Sequence, residues 1–150
     1  GFIPFGREDF ADLGASLRHI LPDEFIQIAE VDGEAAAFVV VLPNLNEVLK
    51  ELDGSLLPTG WWRIVRTLRQ RRIRTARVPL MGVRSKYQNT PLGVMLAFLV
   101  CDTARYAAAD RGITGVELSW ILDNNKGMRS ILDDIESPEY KRYRIYEKHI

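Results

Sequence analysis

Apolar positions recur at helical spacing from Arg7 to Ile20, where Phe10, Leu13, Leu17 and Ile20 mark one buried face and Pro22 follows the end. The pattern then changes to a strand from Phe25 to Val31, with Gln27 and Glu30 set among apolar residues. Asp32-Gly33 is a strong hairpin signal, and the partner strand runs from Glu34 to Leu42. Its Ala-Ala-Ala-Phe-Val-Val-Val run is apolar on both faces, which predicts a central, covered strand. Pro43 to Asp53 reads as a short helix with Leu45, Val48, Leu49 and Leu52 inward. Gly54 to Gly60 reads as turn. Trp61 to Arg72 reads as a second helix, with Trp61, Ile64, Val65 and Leu68 forming its apolar stripe.

The most informative stretch follows. An apolar strand from Val78 to Val83 gives way to a polar turn, Arg84 to Asn89, and a long helix starts at Thr90. The Thr90 hydroxyl suits an N-cap, and Pro91 suits the first helical position, where a missing N–H costs nothing. The helix runs to about Asp110 with a wide apolar face: Val94, Leu96, Ala97, Leu99, Val100, Cys101, Ala104 and Ala108. Gly112 terminates it. Gly115 to Leu122 alternates as a strand, with Val116, Leu118 and Trp120 on one side and Glu117, Ser119 and Ile121 on the other. Asn124 is placed to cap a last helix, Asn125 to Asp134, and Tyr140 to Lys148 alternates as a final strand. The strand–helix–strand unit from Val78 to Leu122 crosses over right-handedly, so its strands are parallel neighbours or near neighbours. The whole is a mixed α/β domain.

Composition narrows the class. The chain has 150 residues, enough for one domain with a proper core, and 47% hydrophobic and 27% charged residues, as in soluble globular proteins. Lys plus Arg and Asp plus Glu are 20 each, so the global charge singles out no partner. One cysteine, Cys101, excludes a disulfide framework and points to a cytoplasmic protein. No apolar run resembles a membrane span and no signal peptide opens the chain. It begins at Gly1 without Met, which we read as an excised domain or a fragment of a longer protein.

A strand, a polar turn and a helix N-terminus together form an anion cradle, because unsatisfied amides and the helix dipole face the turn. Here Gln88, Asn89, Thr90, Pro91, Leu92 and Gly93, with Tyr87 ahead, resemble the Gln/Arg-x-x-Gly-x-Gly/Ala motif of the GNAT-type N-acetyltransferase superfamily. That motif holds the pyrophosphate of acetyl-CoA. One position departs: Pro91 stands where the family has its first glycine, and proline offers no amide to a phosphate oxygen. A second match follows the next strand, where Asn125 and Met128 fill the family's Asn-x-x-Ala/Met at a helix start.

The resemblance covers roughly residues 25 to 150 and implies a GNAT-like mixed sheet flanked by helices, with the family's first strand and helix missing upstream and a helical insertion at about 43–73. It implies that two parallel strands splay apart to admit acetyl-CoA, with the backbone of Met81, Gly82 and Val83 along the pantetheine arm. The remaining contacts would come from Gln88, Asn89, Thr90, Leu92, Gly93, Asn125 and Met128. The acceptor would be a small-molecule or protein amine.

Acyl transfer to an amine needs a base for the ammonium proton and an acid near the departing thiolate. Where relatives carry a glutamate base on the central strand this chain has Arg77, and where they carry a tyrosine acid it has Leu132. Glu117 is the remaining candidate base, and Tyr143 or Tyr140 the candidate hydroxyl. A catalytically inactive CoA-binding or structural domain is the alternative that Pro91, Arg77 and Leu132 motivate. His19 and His149 are given no role, and no metal is expected.

Arg63, Arg66, Arg69, Arg71, Arg72, Arg74 and Arg77 follow Trp61 and Trp62. A solvated helix face is one reading of this segment. Others are peripheral contact with an anionic membrane through Trp61–Arg77, or steering of an anionic cofactor. The balanced overall charge disfavours nucleic acid.

Overall fold

A computed structural model describes residues 21–52 and 59–148, together with Gly6, Glu8 and residues 11, 12, 14 and 15. The expected helix positions Phe10, Leu13, Leu17 and Ile20, the turn at 54–58, and His19 and His149 lie outside the described residues. The chain divides into two units, Gly1–Trp120 and Ile121–Ile150.

The first unit is built on a four-stranded sheet of order β1-β2-β3-β4. Strands β1 (Ile26–Val31) and β2 (Glu34–Pro43) form the expected antiparallel hairpin. Asp32 and Gly33 turn it with φ of 53° and 76°, the pair of left-handed residues that a two-residue turn needs to match strand twist. β2 lies between β1 and β3 and contributes Ala36, Ala37, Val39, Val40 and Val41 to the core.

Between β2 and β3 come α1 (Asn46–Leu49), a 3-10 turn (Lys50–Leu52) and α2 (Gly60–Arg69). Val48 and Leu52 are buried as expected, whereas Leu49 and Trp61 are exposed. In α2, Ile64, Val65 and Leu68 cover the inner side; Trp61 follows the same stripe by helical angle but lies in the first turn, where it is exposed.

β3 spans Thr75–Val83, three residues more than its apolar run suggested, because Thr75 to Arg77 pair with β4 on one side while Ala76 and Arg77 pair with the end of β2 on the other. α3 (Pro91–Asp110) has its expected bounds. Arg111 closes it, and Gly112, at φ 79°, directs its own amide to Ala109 O and the Ile113 amide to Ala108 O. Gly93, Leu96, Ala97, Val100, Ala104 and Ala108 form the buried stripe that packs across β1, β2 and β3. The stripe is narrow because its alanines let the helix sit close to the sheet, so Val94 and Leu99, expected inward, are exposed. By length and composition α3 could cross a membrane; its apolar stripe is the core of this unit instead.

β4 (Gly115–Leu118) pairs parallel to β3 and stops short of the expected Leu122. Its ladder ends where Ser119 N–H reaches Val78 O at 3.4 Å, and Trp120 then turns the chain with a positive φ of 64°.

The second unit holds α4 (Lys126–Asp134). Its cap is Asn125, whose side-chain oxygen accepts the Met128 amide at 3.2 Å, rather than Asn124. Residues 140–148 form no strand, contrary to their alternating pattern, since no described strand pairs with them. Arg142 instead binds Glu139 at 2.8 Å.

Candidate cofactor cleft

The cleft begins with a change of phase in β3. Val78 O accepts from Ser119, and Arg74 O accepts from Thr114, so the even-numbered residues at this end face β4. Thr75 O accepts from Asn44, so the odd-numbered ones face the end of β2. Further on, Arg84 N–H donates to Ala36 O at 2.8 Å, which turns Gly82 and Leu80 toward β2. The reversal comes from a bulge that places Val78 and Pro79 opposite Val41. Proline fits there, since its outward position needs no donor. Beyond the bulge the backbone groups of Met81 and the Val83 N–H point to the side that β4 has left. Of the three residues expected along the cofactor arm, Gly82 alone presents its backbone to β2. Its missing side chain has another use: a Cβ there would lie 2.8 Å from the Phe38 ring.

The turn after β3 is held by its own motif residues. A 3-10 turn, Ser85–Tyr87, leads to Asn89 at φ 60° and then to Thr90 in an extended conformation. Thr90 Oγ1 accepts the Gly93 amide at 3.1 Å and donates to Tyr87 O at 2.7 Å; the Thr90 amide also goes to Tyr87 O. Gln88 Nε2 donates to Val83 O at 2.8 Å. Gly93 lets the helix touch the turn, for a Cβ there would fall 2.0 Å from Tyr87 O. The donors expected from Gln88, Thr90 and Gly93 are therefore spent inside the protein. Asn89 and Leu92 keep amides with no acceptor among the described residues, on either side of Pro91 at the start of α3.

The charge at this turn is cationic. Arg84 and Lys86 share one carboxylate, Glu34, at 2.7 and 2.9 Å. The Lys86 hydrogen bond, with the charges of Lys86 and Arg84, holds Glu34 below the usual carboxylate range, and the same bond raises Lys86. Two cations to one anion leave a net positive charge beside the free amides.

Glu117 stands directly opposite Arg77 in the parallel ladder, and its Oε2 binds Arg77 Nη2 at 3.1 Å. Arg77 thus occupies an oxygen that a base would use. Asn125, Met128, Tyr140 and Tyr143 belong to the second unit, where Asn125 and Met128 are joined by the cap and Tyr143 is exposed.

Two features escaped sequence reasoning. Ser119 Oγ lies 3.5 Å from Val78 O at the fork of β3 and β4, with no local pattern to mark it. An apolar cavity of about 500 Å³ lies along the sheet, lined by Ile26, Ile28, Phe38, Val40, Leu80 and Gly82. These six are alternate residues of three strands that only the register brings together; Gly14, Ala35, Val83 and Arg84 also line it.

The sequence matches no protein-family model. It is 47% identical over 150 residues to protein YghO of Escherichia coli (strain K12), covering 100% of this chain and 38% of that protein. It is 39% identical over 148 residues to the bacterial ceramide synthase of Caulobacter vibrioides, covering 99% of this chain and again 38% of the relative. The chain therefore spans less than half the length of the curated relatives it matches. A ribosomal-protein-alanine N-acetyltransferase from Brucella melitensis biovar Abortus aligns with a TM-score of 0.53 and 16% identity, over 95% of this chain and 82% of its own. With its mixed four-stranded sheet flanked by helices, this chain has the GNAT-type acyltransferase fold.

Proposed function

We propose that the chain binds the acyl-CoA donor of an N-acyltransferase that acylates an amine. The observation that carries this reading is the bulge at Val78 and Pro79. It exposes the Met81 and Val83 amides on an open strand edge, and that edge leads to the free Asn89 and Leu92 amides at a helix N-terminus. Two groups of donors on one edge fit a ligand with a carbonyl at one end and a phosphate at the other.

The donor supplies an acyl group activated as a thioester, acetyl in the first instance. Met81 or Val83 N–H would hydrogen-bond the carbonyl oxygen and stabilise the charge that develops there. Asn89 and Leu92, with the excess positive charge of Arg84 and Lys86, would hold the phosphates. Proton removal from the amine falls to Glu117, which must first be released by Arg77. The likeness to a ceramide synthase extends the proposal to a long-chain acyl group and a lipid amine, since a ceramide is an N-acylated amino alcohol. The apolar cavity beside Gly82 offers such a chain a dry surface. This reading rests on residues of the first unit.

Calorimetric titration with acetyl-CoA and with a long-chain acyl-CoA tests binding, and thiol release over a panel of amines, including a long-chain amino alcohol, tests transfer. Binding of either donor with amine-dependent thiol release is expected. Absence of heat with both donors at millimolar concentration would defeat the proposal. A second reading, a CoA-binding domain without chemistry, draws on the Arg77–Glu117 pair and predicts heat without thiol release.

A further inference from the structure

We infer that α2 is a docking face for an anionic lipid bilayer. Trp61 and Trp62 are 52% and 54% exposed, adjacent, and stacked edge to face with centroids 5.7 Å apart. Indole rings are costly to leave in water, and they favour the bilayer interface, where the ring meets lipid and the N–H stays hydrated. On the helix, Trp62 lies between Arg66 and Arg69 by the 3.6-residue turn, while Ile64 and Leu68 cover the opposite, inner side.

The arginines fit the same partner. Arg63 is paired with Glu51 at 3.5 Å, and Arg71 donates to Asp110 O at 3.2 Å. Arg66, Arg69 and Arg72 are exposed and have no carboxylate partner among the described residues. This uncompensated positive charge sits on a chain whose formal net charge is zero, so it is a local patch rather than a general basic character. Guanidinium groups bind phosphate oxygens in pairs of hydrogen bonds.

Adjacent exposed indoles beside guanidinium groups, on a chain of zero net charge, suit an anionic bilayer surface better than a nucleic-acid strand, whose binders carry an overall basic excess. The inference is independent of acyl transfer, since binding to a surface is measured without turnover.

Flotation of the full chain with phosphatidylcholine vesicles, with and without phosphatidylglycerol, provides the test. Binding is expected to vesicles containing phosphatidylglycerol and to be lost at high salt, with a blue shift of tryptophan emission that the Trp61→Ala/Trp62→Ala variant lacks. Arg66→Glu with Arg69→Glu is expected to weaken binding more than tenfold, given about fivefold per charge near an anionic surface. These side chains are exposed, so circular dichroism and melting should match the wild type. Equal binding to neutral vesicles, unchanged binding in the arginine variant, or a blue shift produced by duplex DNA and not by vesicles would overturn the inference.

Discussion

Arg77 and Glu117 are cross-strand neighbours in the parallel ladder, joined Nη2 to Oε2 at 3.1 Å with side chains 35% and 20% exposed. The ion pair locks β4 to β3 one rung before they part, and so helps fix where the cleft opens. Opposite charges facing each other across strands contribute up to about 1 kcal/mol. Glu117→Gln should therefore lower the melting temperature by a few degrees. If Glu117 also removes the amine's proton, turnover should fall by ~10²–10⁴. Melting and thiol-release measurements on one variant separate the two roles. Intact turnover in the Glu117→Gln protein would leave the residue a structural role alone.

Gly93 is required by sterics. Its amide already binds Thr90 Oγ1, and a Cβ would collide with Tyr87 O. Gly93→Ala must push α3 away from the turn, at a cost of about 3 kcal/mol. A lower denaturant midpoint with an unchanged slope is the expected result. A midpoint equal to the wild type would show that the turn yields freely.

Glu47 ties α1 to the start of β3. Its carboxylate accepts the Arg74 amide at 3.0 Å, the Thr75 amide at 2.8 Å and the Thr75 hydroxyl. Burial raises its pKa, but these hydrogen bonds outweigh that effect and leave it below the ordinary 4.5. A group depressed on folding adds stability above its unfolded pKa, and that contribution disappears as pH falls through the folded value. The stability difference between wild type and Glu47→Gln should be about 2 kcal/mol at neutral pH. It should shrink steadily below pH 4.5. Denaturant titrations of both proteins across that range check it, and a pH-independent difference would refute it.

Much of the fold was legible where a local signal suffices. Asp32-Gly33 marked the hairpin, and Thr90-Pro91 and Gly112 marked both ends of α3, because turns and caps depend on a few adjacent residues. The failures involve distant partners. Tyr140 to Lys148 alternates like a strand, but a strand exists only when an edge pairs with it. Val94 and Leu99 looked buried because periodicity cannot tell how wide a stripe the sheet will cover. The strand, polar turn and helix start around Arg84 to Thr90 were legible, yet which amides remain free depended on Thr90 and Gln88 bonding inward. The phase change at Val78 and Pro79 could be seen only from the register with β2.

Cys101 is half-buried, its Sγ is 3.5 Å from Met81 Sδ, and burial raises its thiol above the ordinary value. Since the thiolate is the reactive form, maleimide labelling at neutral pH should be slower than for a free thiol. Labelling should accelerate on unfolding in denaturant. Rapid native-state labelling would show that α3 separates from β3 around Met81.

Pro91 tests the cradle most directly. The free amides of Asn89 and Leu92 flank it, and it alone among the three residues at the helix entrance with an unspent position has no N–H to give. Pro91→Gly would place a third amide between them. One charge-assisted hydrogen bond is worth about 1.5–3 kcal/mol, so acyl-CoA affinity should rise by roughly ten- to hundredfold. The same change frees the unfolded chain and removes a preset helical φ, which should cost about 0.5–1 kcal/mol of stability. Calorimetry and denaturant unfolding on the two proteins measure both effects. Tighter binding by a less stable protein would support pyrophosphate at this helix N-terminus. Equal affinities, or no binding by either protein, would mean that the amides around Pro91 serve only to start α3.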